Sequence, residues 1–251
     1  MALQEELEAQ GNFLFKYRSK LPLLLLPVGL GIYIYQEYVK IHQPEWAIEE
    51  IYPFFCLLVA IAGLAVRVFT VGHTPKNTSG RNTGAGQIAD QLNTSGIYSI
   101  VRHPLYLGNF LIWVGIAMLT ENVWFITIFI LAYWIYYERI MFAEEQFLRN
   151  KFGKQFLDWS SGTPAFVPAF QNYRPPSVSF SIKKVLKKEK NGFFAIFLLI
   201  FLFQYAEDIV HSGSFTVQWD FWTFAVIVTG GFYFVFKLIK KYSGLLDEAG
   251  R

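Results

Sequence analysis

The chain has 251 residues, of which 53% are hydrophobic and 16% are charged, and its formal net charge is +3. Soluble domains carry about 25% charged residues, so this composition indicates an integral membrane protein. The sequence has no basic face interleaved with aromatic residues, so we expect no nucleic-acid partner. A single cysteine, Cys56, excludes an internal disulfide framework and a cysteine-based metal site. The four histidines lack metal-ligand spacing, so we expect no metal.

Six apolar segments are the candidates for membrane-spanning helices. A span takes about 20 mostly apolar residues, and none of the six alternates regularly as a strand would. The third and fourth segments are short and only residues 120–122 separate them, so they are predicted to form a helical hairpin. The predicted spans are residues 21–39, 51–71, 105–119, 123–137, 192–205 and 221–238.

Lysine and arginine residues fall in alternate connections, which predicts the orientation of the spans. Basic residues precede the first span, fill the connections 72–103 and 139–191, and follow the sixth span. The other connections are poor in positive charge, and residues 40–50 carry three acids against one lysine. Both termini are therefore predicted to be cytoplasmic. The acidic start of the chain lacks the basic region and cleavage site of a signal peptide.

The segment RHPLYLG, residues 102–108, lies where the third span begins. Pro104 would fix the entry of the chain into the first helical turn. The start of a helix offers free N–H groups and the positive end of the dipole, and Arg102 and His103 add donors. The segment therefore suits a carboxylate or phosphate ligand. It equally suits a positively charged membrane flank with a helix-starting proline, and the residues alone leave both interpretations open.

The segment ERIMFAEEQFLRNKFG, residues 138–153, is predicted to continue the fourth helix beyond the membrane. Glu138 and Glu145 are seven positions apart and share a face of this helix. Glu144 lies nearly opposite Arg139, because five residues turn a helix by about 500°. A pair between these two is therefore not expected, and either could instead meet the RHP segment across the hairpin. The alternative is a solvated helix end.

Two further segments were weighed for ligand binding. SGRNTGAG, residues 79–86, is glycine-rich but lacks the strand–turn–helix context and the Lys-Ser/Thr ending of a phosphate loop. It is predicted to be a flexible loop. IKKVLKKEK, residues 182–190, could bind anionic lipid. It could equally mark only the cytosolic side of the membrane, and the sequence does not separate the two.

Three motifs in order resemble the isoprenylcysteine carboxyl methyltransferase family, which includes phospholipid methyltransferases. They are LNTSGIYSIVRHPLYLGN (92–109), AEEQFLRNKFG (143–153) and PAFVP (164–168). The resemblance covers about a third of the chain, and the spacing of several motifs makes it specific. Together with the six apolar segments, it indicates an all-α integral membrane protein with about six transmembrane helices, a short helical hairpin and cytosolic cofactor-binding segments. It also implies methyl transfer from S-adenosylmethionine to a membrane lipid or a lipidated substrate.

The resemblance also implies roles for individual residues. Those expected to bind the cofactor are Leu92, Tyr98, His103, Pro104, Leu105, Tyr106, Gly108 and Glu144. Gly108 would additionally allow close approach of helices. Arg102, Arg139 and Glu145 are the expected catalytic residues, the arginines for an anionic acceptor and Glu145 as the base for an amine. Arg139 is near, but not in register with, an arginine that the family uses toward its substrate.

The chain departs from the family pattern at Asp90, Asn93 and Phe156, where a histidine, a valine and a tyrosine are usual. The last two spans also lie outside the family core. These departures favour an acceptor other than prenylated cysteine, such as an amine-bearing phospholipid or the lipid A phosphate of a bacterial branch. A transporter is disfavoured because the centres of the spans are almost uncharged. An inactive scaffold that kept the fold remains an alternative.

Four regions are expected along the chain. Residues 1–71 would hold the first two spans and residues 72–170 the methyltransferase core. Residues 171–191 would form a basic linker, and residues 192–251 would hold the last two spans.

Overall fold

The computed structural model describes residues 2–18, 21–41, 47–78, 81–83 and 86–250, and within them the chain is mainly helical, with very little strand. The helices are α1 (Leu3–Tyr17), α2 (Leu21–Lys40), α3 (Ala47–Gly72), α4 (Pro104–Met118), α5 (Val123–Phe152), α6 (Lys154–Gly162), α7 (Ile182–Ser212) and α8 (Phe221–Tyr242). Two short strands, β1 (Arg81–Thr83) and β2 (Gly86–Ile88), pair antiparallel. The predicted all-α fold is confirmed.

Each of the six predicted apolar segments is helical. Four helices are long and apolar enough to cross a membrane, namely Glu50–Gly72 within α3, and α5, α7 and α8. Helix α4 is apolar but has only 15 residues, a length of roughly 22 Å against a hydrocarbon core of about 30 Å. The membrane class is therefore confirmed, whereas crossing by α2 and by α4 stays a prediction.

Helix α5 confirms the predicted hairpin and its extension. It begins at Val123, where the Asn122 side chain accepts a hydrogen bond from the backbone N–H of Phe125 at 2.9 Å. It then continues without interruption to Phe152, well beyond the predicted end of the span. The helix therefore carries the acidic segment from the apolar bundle to the polar end of the molecule.

Helix α7 begins at Ile182 rather than at residue 192, so the basic stretch predicted to be linker is helical. The Ser181 side chain caps it by accepting from the backbone N–H of Lys184 at 3.1 Å, and lysine and glutamate are good helix formers. The basic residues are consequently held on a rigid element that is continuous with the fifth apolar segment.

Two other elements differ from the sequence prediction. Helix α1 was not predicted, yet it packs on α5 through Phe15, which is buried. The glycine-rich segment was predicted to be a flexible loop, but residues 81–83 and 86–88 pair as strands. Residues 79–80 and 84–85 of that segment lie outside the described residues.

Helices α3 and α4 approach closely through glycines. A Cβ atom built on Gly63 would lie 2.5 Å from the carbonyl oxygen of Gly108 and 2.7 Å from the backbone nitrogen of Ile112. A Cβ atom on Gly108 would in turn lie 2.8 Å from the carbonyl oxygen of Gly63. Backbone atoms of a helix do not yield readily, so the predicted role of Gly108 in close helix approach agrees with this geometry.

We therefore expect Gly63→Ala to destabilise the protein by about 1–3 kcal/mol, the usual cost of overpacking. Thermal unfolding in detergent would measure this as a lower midpoint. Gly31→Ala is the matched control, because a Cβ atom on Gly31 meets nothing within 4 Å. Equal midpoints for the two variants would contradict the close packing of α3 on α4.

Charged residues from three predicted connections meet at one end of the bundle. The Lys40 ammonium lies 3.0 Å from the Glu37 carboxylate and 2.7 Å from that of Glu121 at the hairpin tip. His211, at the end of α7, lies 3.1 Å from Glu37. Residues from all three connections that are poor in positive charge thus lie at the same end of the bundle, as the predicted arrangement of spans requires. Which side of the membrane this end faces stays a prediction.

Candidate functional site

A cavity of about 980 Å³ occupies the opposite end of the bundle. Its walls include cations from all four of the segments predicted to be basic and cytosolic, namely Arg18, Lys76, Arg102, Lys184 and Lys240. Most of the predicted site residues line it as well, namely Leu92, Tyr98, Arg102, His103, Pro104, Leu105, Tyr106, Glu144 and Glu145. The structure thus brings residues that are far apart in the sequence to the wall of one cavity.

His103 sits between two acidic side chains. It directly precedes the first residue of α4, is only 5% exposed, and places Nε2 2.8 Å from Glu145 Oε1. Its Nδ1 lies 3.7 Å from Glu144 Oε2. Arg102 Nη1 reaches the second oxygen of Glu145 at 3.2 Å. The acids of α5 therefore meet the RHP segment across the hairpin, which was one of the two alternatives for Glu144.

Tyr106 orients the Glu144 carboxylate. Its hydroxyl donates to Glu144 Oε2 at 2.7 Å, and its ring stacks on His103 with 5.6 Å between centroids. The backbone carbonyl of Tyr106 accepts from the hydroxyl of Tyr133 at 2.9 Å. The hydrogen bond from Tyr106 to Glu144 is charge-assisted. It fixes the Glu144 carboxylate while leaving the other lone pairs of that carboxylate for a ligand.

The segment 164–168 holds the RHP backbone in place. The backbone N–H of Arg102 donates to the carbonyl of Pro164 at 2.9 Å, and that of His103 donates to Ala165 at 3.2 Å. These bonds satisfy donors that precede α4 and have no partner within the helix. The third motif of the sequence resemblance is thus a structural support for the first.

Tyr98 is fixed on another side of the cavity. Its backbone carbonyl accepts from the indole Nε1 of Trp159 at 3.1 Å. Burial, together with the nearby Glu144 carboxylate, raises the pKa of the Tyr98 hydroxyl above its usual range. The phenol therefore stays neutral at physiological pH. Phe156, which stands where a tyrosine is usual, is buried and lines the same cavity.

Two predicted site residues lie elsewhere. Gly108 faces α3, as described above. Arg139 does not line the cavity: its guanidinium donates to Gln10 Oε1 at 3.0 Å and to the carbonyl of Ile135 at 3.2 Å. The reason is the helical register, since the face of α5 that presents Glu144 to the cavity points Arg139 toward α1. The expectation that Arg139 acts at the site is therefore not supported by its position.

Three residues of the cavity wall were missed by sequence reasoning. Arg67 forms a bidentate pair with Glu189, with Nε and Nη2 at 2.8 and 2.9 Å from its two oxygens. Its Nη1 also donates to Asn109 Oδ1 at 2.6 Å. The available signal was an arginine inside an apolar span, which is costly without a partner. The pair ties α3, α4 and α7 together at the edge of the cavity.

The fold and the site together define an α-helical membrane protein with a cavity, lined by both apolar and charged side chains, around the start of a helical hairpin. Residues 55–155 match the family model described as phospholipid methyltransferase. This match confirms the resemblance found in the sequence. The matched segment contains α4, all of α5 and most of α3, whereas α7 and α8 lie outside it.

Curated relatives match parts of the chain. The cobalt-zinc-cadmium resistance protein CzcN of Cupriavidus metallidurans is 34% identical over 123 residues, which cover 48% of this chain and 54% of that protein. The nickel-cobalt-cadmium resistance protein NccN of Alcaligenes xylosoxydans xylosoxydans is 36% identical over 93 residues, covering 37% and 43%. Protein-S-isoprenylcysteine O-methyltransferase B of Arabidopsis thaliana is 39% identical over 79 residues, covering 31% and 40%.

The chain thus spans about half, or less, of the length of each of these relatives. No solved structure gives a significant match to the chain. The comparisons support the expectation of a membrane methyltransferase, and they leave the acceptor open.

Proposed function

We propose that the protein transfers a methyl group from S-adenosylmethionine to a membrane-embedded lipid or lipidated acceptor at the cytosolic membrane face. One observation carries the proposal. The first two motifs of the resemblance, which are separate in sequence, line a single cavity of about 980 Å³, and the third holds the backbone of Arg102 and His103 in place. Within the cavity, the carboxylates of Glu144 and Glu145 are bonded to His103, Arg102 and Tyr106.

The residues present fit the proposed cofactor. S-adenosylmethionine carries a carboxylate, an ammonium, a sulfonium, a ribose and an adenine. His103 and Arg102 are donors for a carboxylate, and Glu144 suits ribose hydroxyls or a positive charge. Leu92, Tyr98 and Leu105 offer apolar and aromatic surface for an adenine. The side chains of Glu144 and Glu145 are 17% and 22% exposed, so both retain surface toward the cavity.

The cofactor supplies an already activated methyl group, so the chain's own residues chiefly align the acceptor and exclude water. A phosphate or carboxylate acceptor needs no base and is favoured by cations, of which Arg102 is at the site. An amine acceptor has to lose a proton, and Glu145, whose side chain lines the cavity, is the candidate base.

Calorimetry with S-adenosylmethionine and the detergent-purified protein tests the proposal. We expect the wild type to bind, and Glu144→Gln to weaken binding by about 10-fold or more, as loss of a charged hydrogen-bond partner does. Glu138→Gln on the same helix is the matched control, since Glu138 is exposed and does not line the cavity. Transfer of labelled methyl into the lipid fraction then reports the reaction itself.

A folded wild type that does not bind S-adenosylmethionine would overturn the proposal and favour an inactive scaffold. Equal weakening by Glu144→Gln and Glu138→Gln would place the cofactor elsewhere. Binding without transfer to any lipid of the native membrane would argue against a lipid acceptor.

A further inference from the structure

The two helices outside the family match supply a basic wall to the cavity. Helices α7 and α8 follow the matched segment, and their cationic lining residues are Lys184, Lys187, Lys188 and Lys240. The same two helices add a single acid to the described lining, Glu189. This wall is therefore more positive than the part of the cavity formed by α4 and α5, where Glu144 and Glu145 accompany Arg102 and His103.

The acid of this wall is already neutralised. Glu189 is 4% exposed and both of its carboxylate oxygens are bound by the Arg67 guanidinium. Lys184 is also buried and has a structural role, since its ammonium donates to the hydroxyl of Thr74 at 3.0 Å and to the carbonyl of Pro75 at 3.1 Å. Lys187, Lys188 and Lys240 are the more exposed cations of the wall.

Carboxylates from the end of the chain lie on this wall. Asp247 pairs with the ammonium of Lys187. Glu248 lines the cavity and accepts a hydrogen bond from the hydroxyl of Ser181, which caps α7. Leu246 is 7% exposed and packs into the same space. Asp247 thus shows that a lysine of this wall receives an anionic group, and Glu248 adds a second carboxylate to the cavity lining.

We propose that Lys187, Lys188 and Lys240 bind the phosphate of the lipid acceptor's headgroup, and that Asp247 and Glu248 cover this site when no acceptor is bound. The inference rests on the proposed function and specifies its acceptor as a phosphate-bearing lipid. Lysines bind phosphate as point charges from several directions, and here they come from two helices. The predicted cofactor residues line the same cavity as these lysines. A headgroup on the lysines would therefore share a cavity with the methyl donor.

Binding of dioctanoyl phosphatidate to the detergent-purified full-length protein tests this site. The triple variant Lys187→Gln/Lys188→Gln/Lys240→Gln removes the lining charges. The triple variant Lys183→Gln/Lys237→Gln/Lys241→Gln removes the same charge from the same helices at positions that do not line the cavity. We expect the first to weaken binding by about 100-fold or slightly more, from the usual contribution of each of three basic residues to anionic lipid binding. The second should change affinity by less than about 3-fold.

Several results would overturn the inference. Equal weakening by both triple variants would show general attraction to positive charge, and no weakening by the first would remove the site. Equal affinity for dioctanoylglycerol, which lacks the phosphate, would exclude recognition of the headgroup phosphate, and equal affinity for inorganic phosphate would exclude the lipid as the source. The single variant Lys240→Gln, at an exposed side chain, repeats the comparison against Lys241→Gln should the triple variant not fold.

The covering role of Asp247 and Glu248 has its own test. Asp247→Asn/Glu248→Gln should tighten phosphatidate binding several-fold, and unchanged affinity would contradict competition by these two carboxylates. Calorimetry with S-adenosylmethionine on the same samples separates the two proposals. Lysine-dependent phosphatidate binding without cofactor binding would overturn the methyltransferase proposal alone. Cofactor binding without lysine-dependent phosphatidate binding would overturn the headgroup site alone.

Discussion

His103→Ala should lower kcat/KM for methyl transfer by about 100-fold or more, a loss of at least roughly 2.7 kcal/mol in transition-state stabilisation. Binding of S-adenosylmethionine should weaken as well. The reason is the position of the imidazole, which lies 2.8 Å from the Glu145 carboxylate and 3.7 Å from that of Glu144. Without it, two adjacent carboxylates lose the donor that lies between them.

The backbone contacts of residue 103 survive this substitution. Its N–H donates to Ala165 and its carbonyl accepts from the backbone of Tyr106 and Leu107, and alanine keeps both groups. We therefore expect α4 to start at the same place and the effect to fall on the carboxylates. His103→Gln, which retains a side-chain donor, should recover part of the lost cofactor affinity.

Radiolabelled methyl transfer and calorimetry would measure the two effects, with Glu138→Gln as the matched control on α5. Thermal unfolding of each variant separates loss of function from loss of fold. Wild-type affinity and rate in a well-folded His103→Ala protein would show that the cofactor is not held by the RHP segment.

The contact between the RHP segment and the acids of α5 could be predicted from the sequence because the sequence predicts a hairpin. Helix α4 begins at Pro104 and α5 runs from Val123 to Phe152, so the chain returns along itself past the start of α4. Glu144 and Glu145, on the extended part of α5, thereby come near residues 102 and 103. The helical register further decides which side chain faces inward, and it selects Glu144 over Arg139.

The other wall of the cavity was not accessible in this way. Arg67 and Glu189 are 122 positions apart, and no local pattern announces that α3 and α7 are neighbours. The basic stretch before residue 192 was interpreted as a linker because hydropathy identifies only the apolar part of α7. The cap at Ser181 gives the start of the helix a physical basis, but it becomes evident only when the helix is seen to extend that far.

The Arg67–Glu189 pair should give the second large effect. We expect Arg67→Met to destabilise the protein by about 3–5 kcal/mol, the usual cost of leaving one partner of a buried ion pair behind. The Glu189 side chain is 5% exposed, so its carboxylate has little access to water once the guanidinium is gone. The substitution also removes a donor from Asn109, which accepts from Arg67 at 2.6 Å.

Chemical unfolding in detergent would measure this loss, and the double variant Arg67→Met/Glu189→Met is the decisive comparison. It removes both charges together, and replacing a buried pair by apolar residues is often nearly neutral. We therefore expect the double variant to recover most of the stability lost in Arg67→Met. Equal stability of Arg67→Met and the wild type would show that Glu189 is adequately solvated without its partner.

The double variant also separates stability from positioning. If it is stable and binds S-adenosylmethionine but no longer binds phosphatidate, the ion pair holds the lysine wall of α7 in place. If phosphatidate binding is retained, packing of α3 against α7 is sufficient to place the lysines. In that case the only role of Arg67 is to neutralise Glu189, which lies beside the lysines. Replacing both residues by methionine removes the need for that neutralisation.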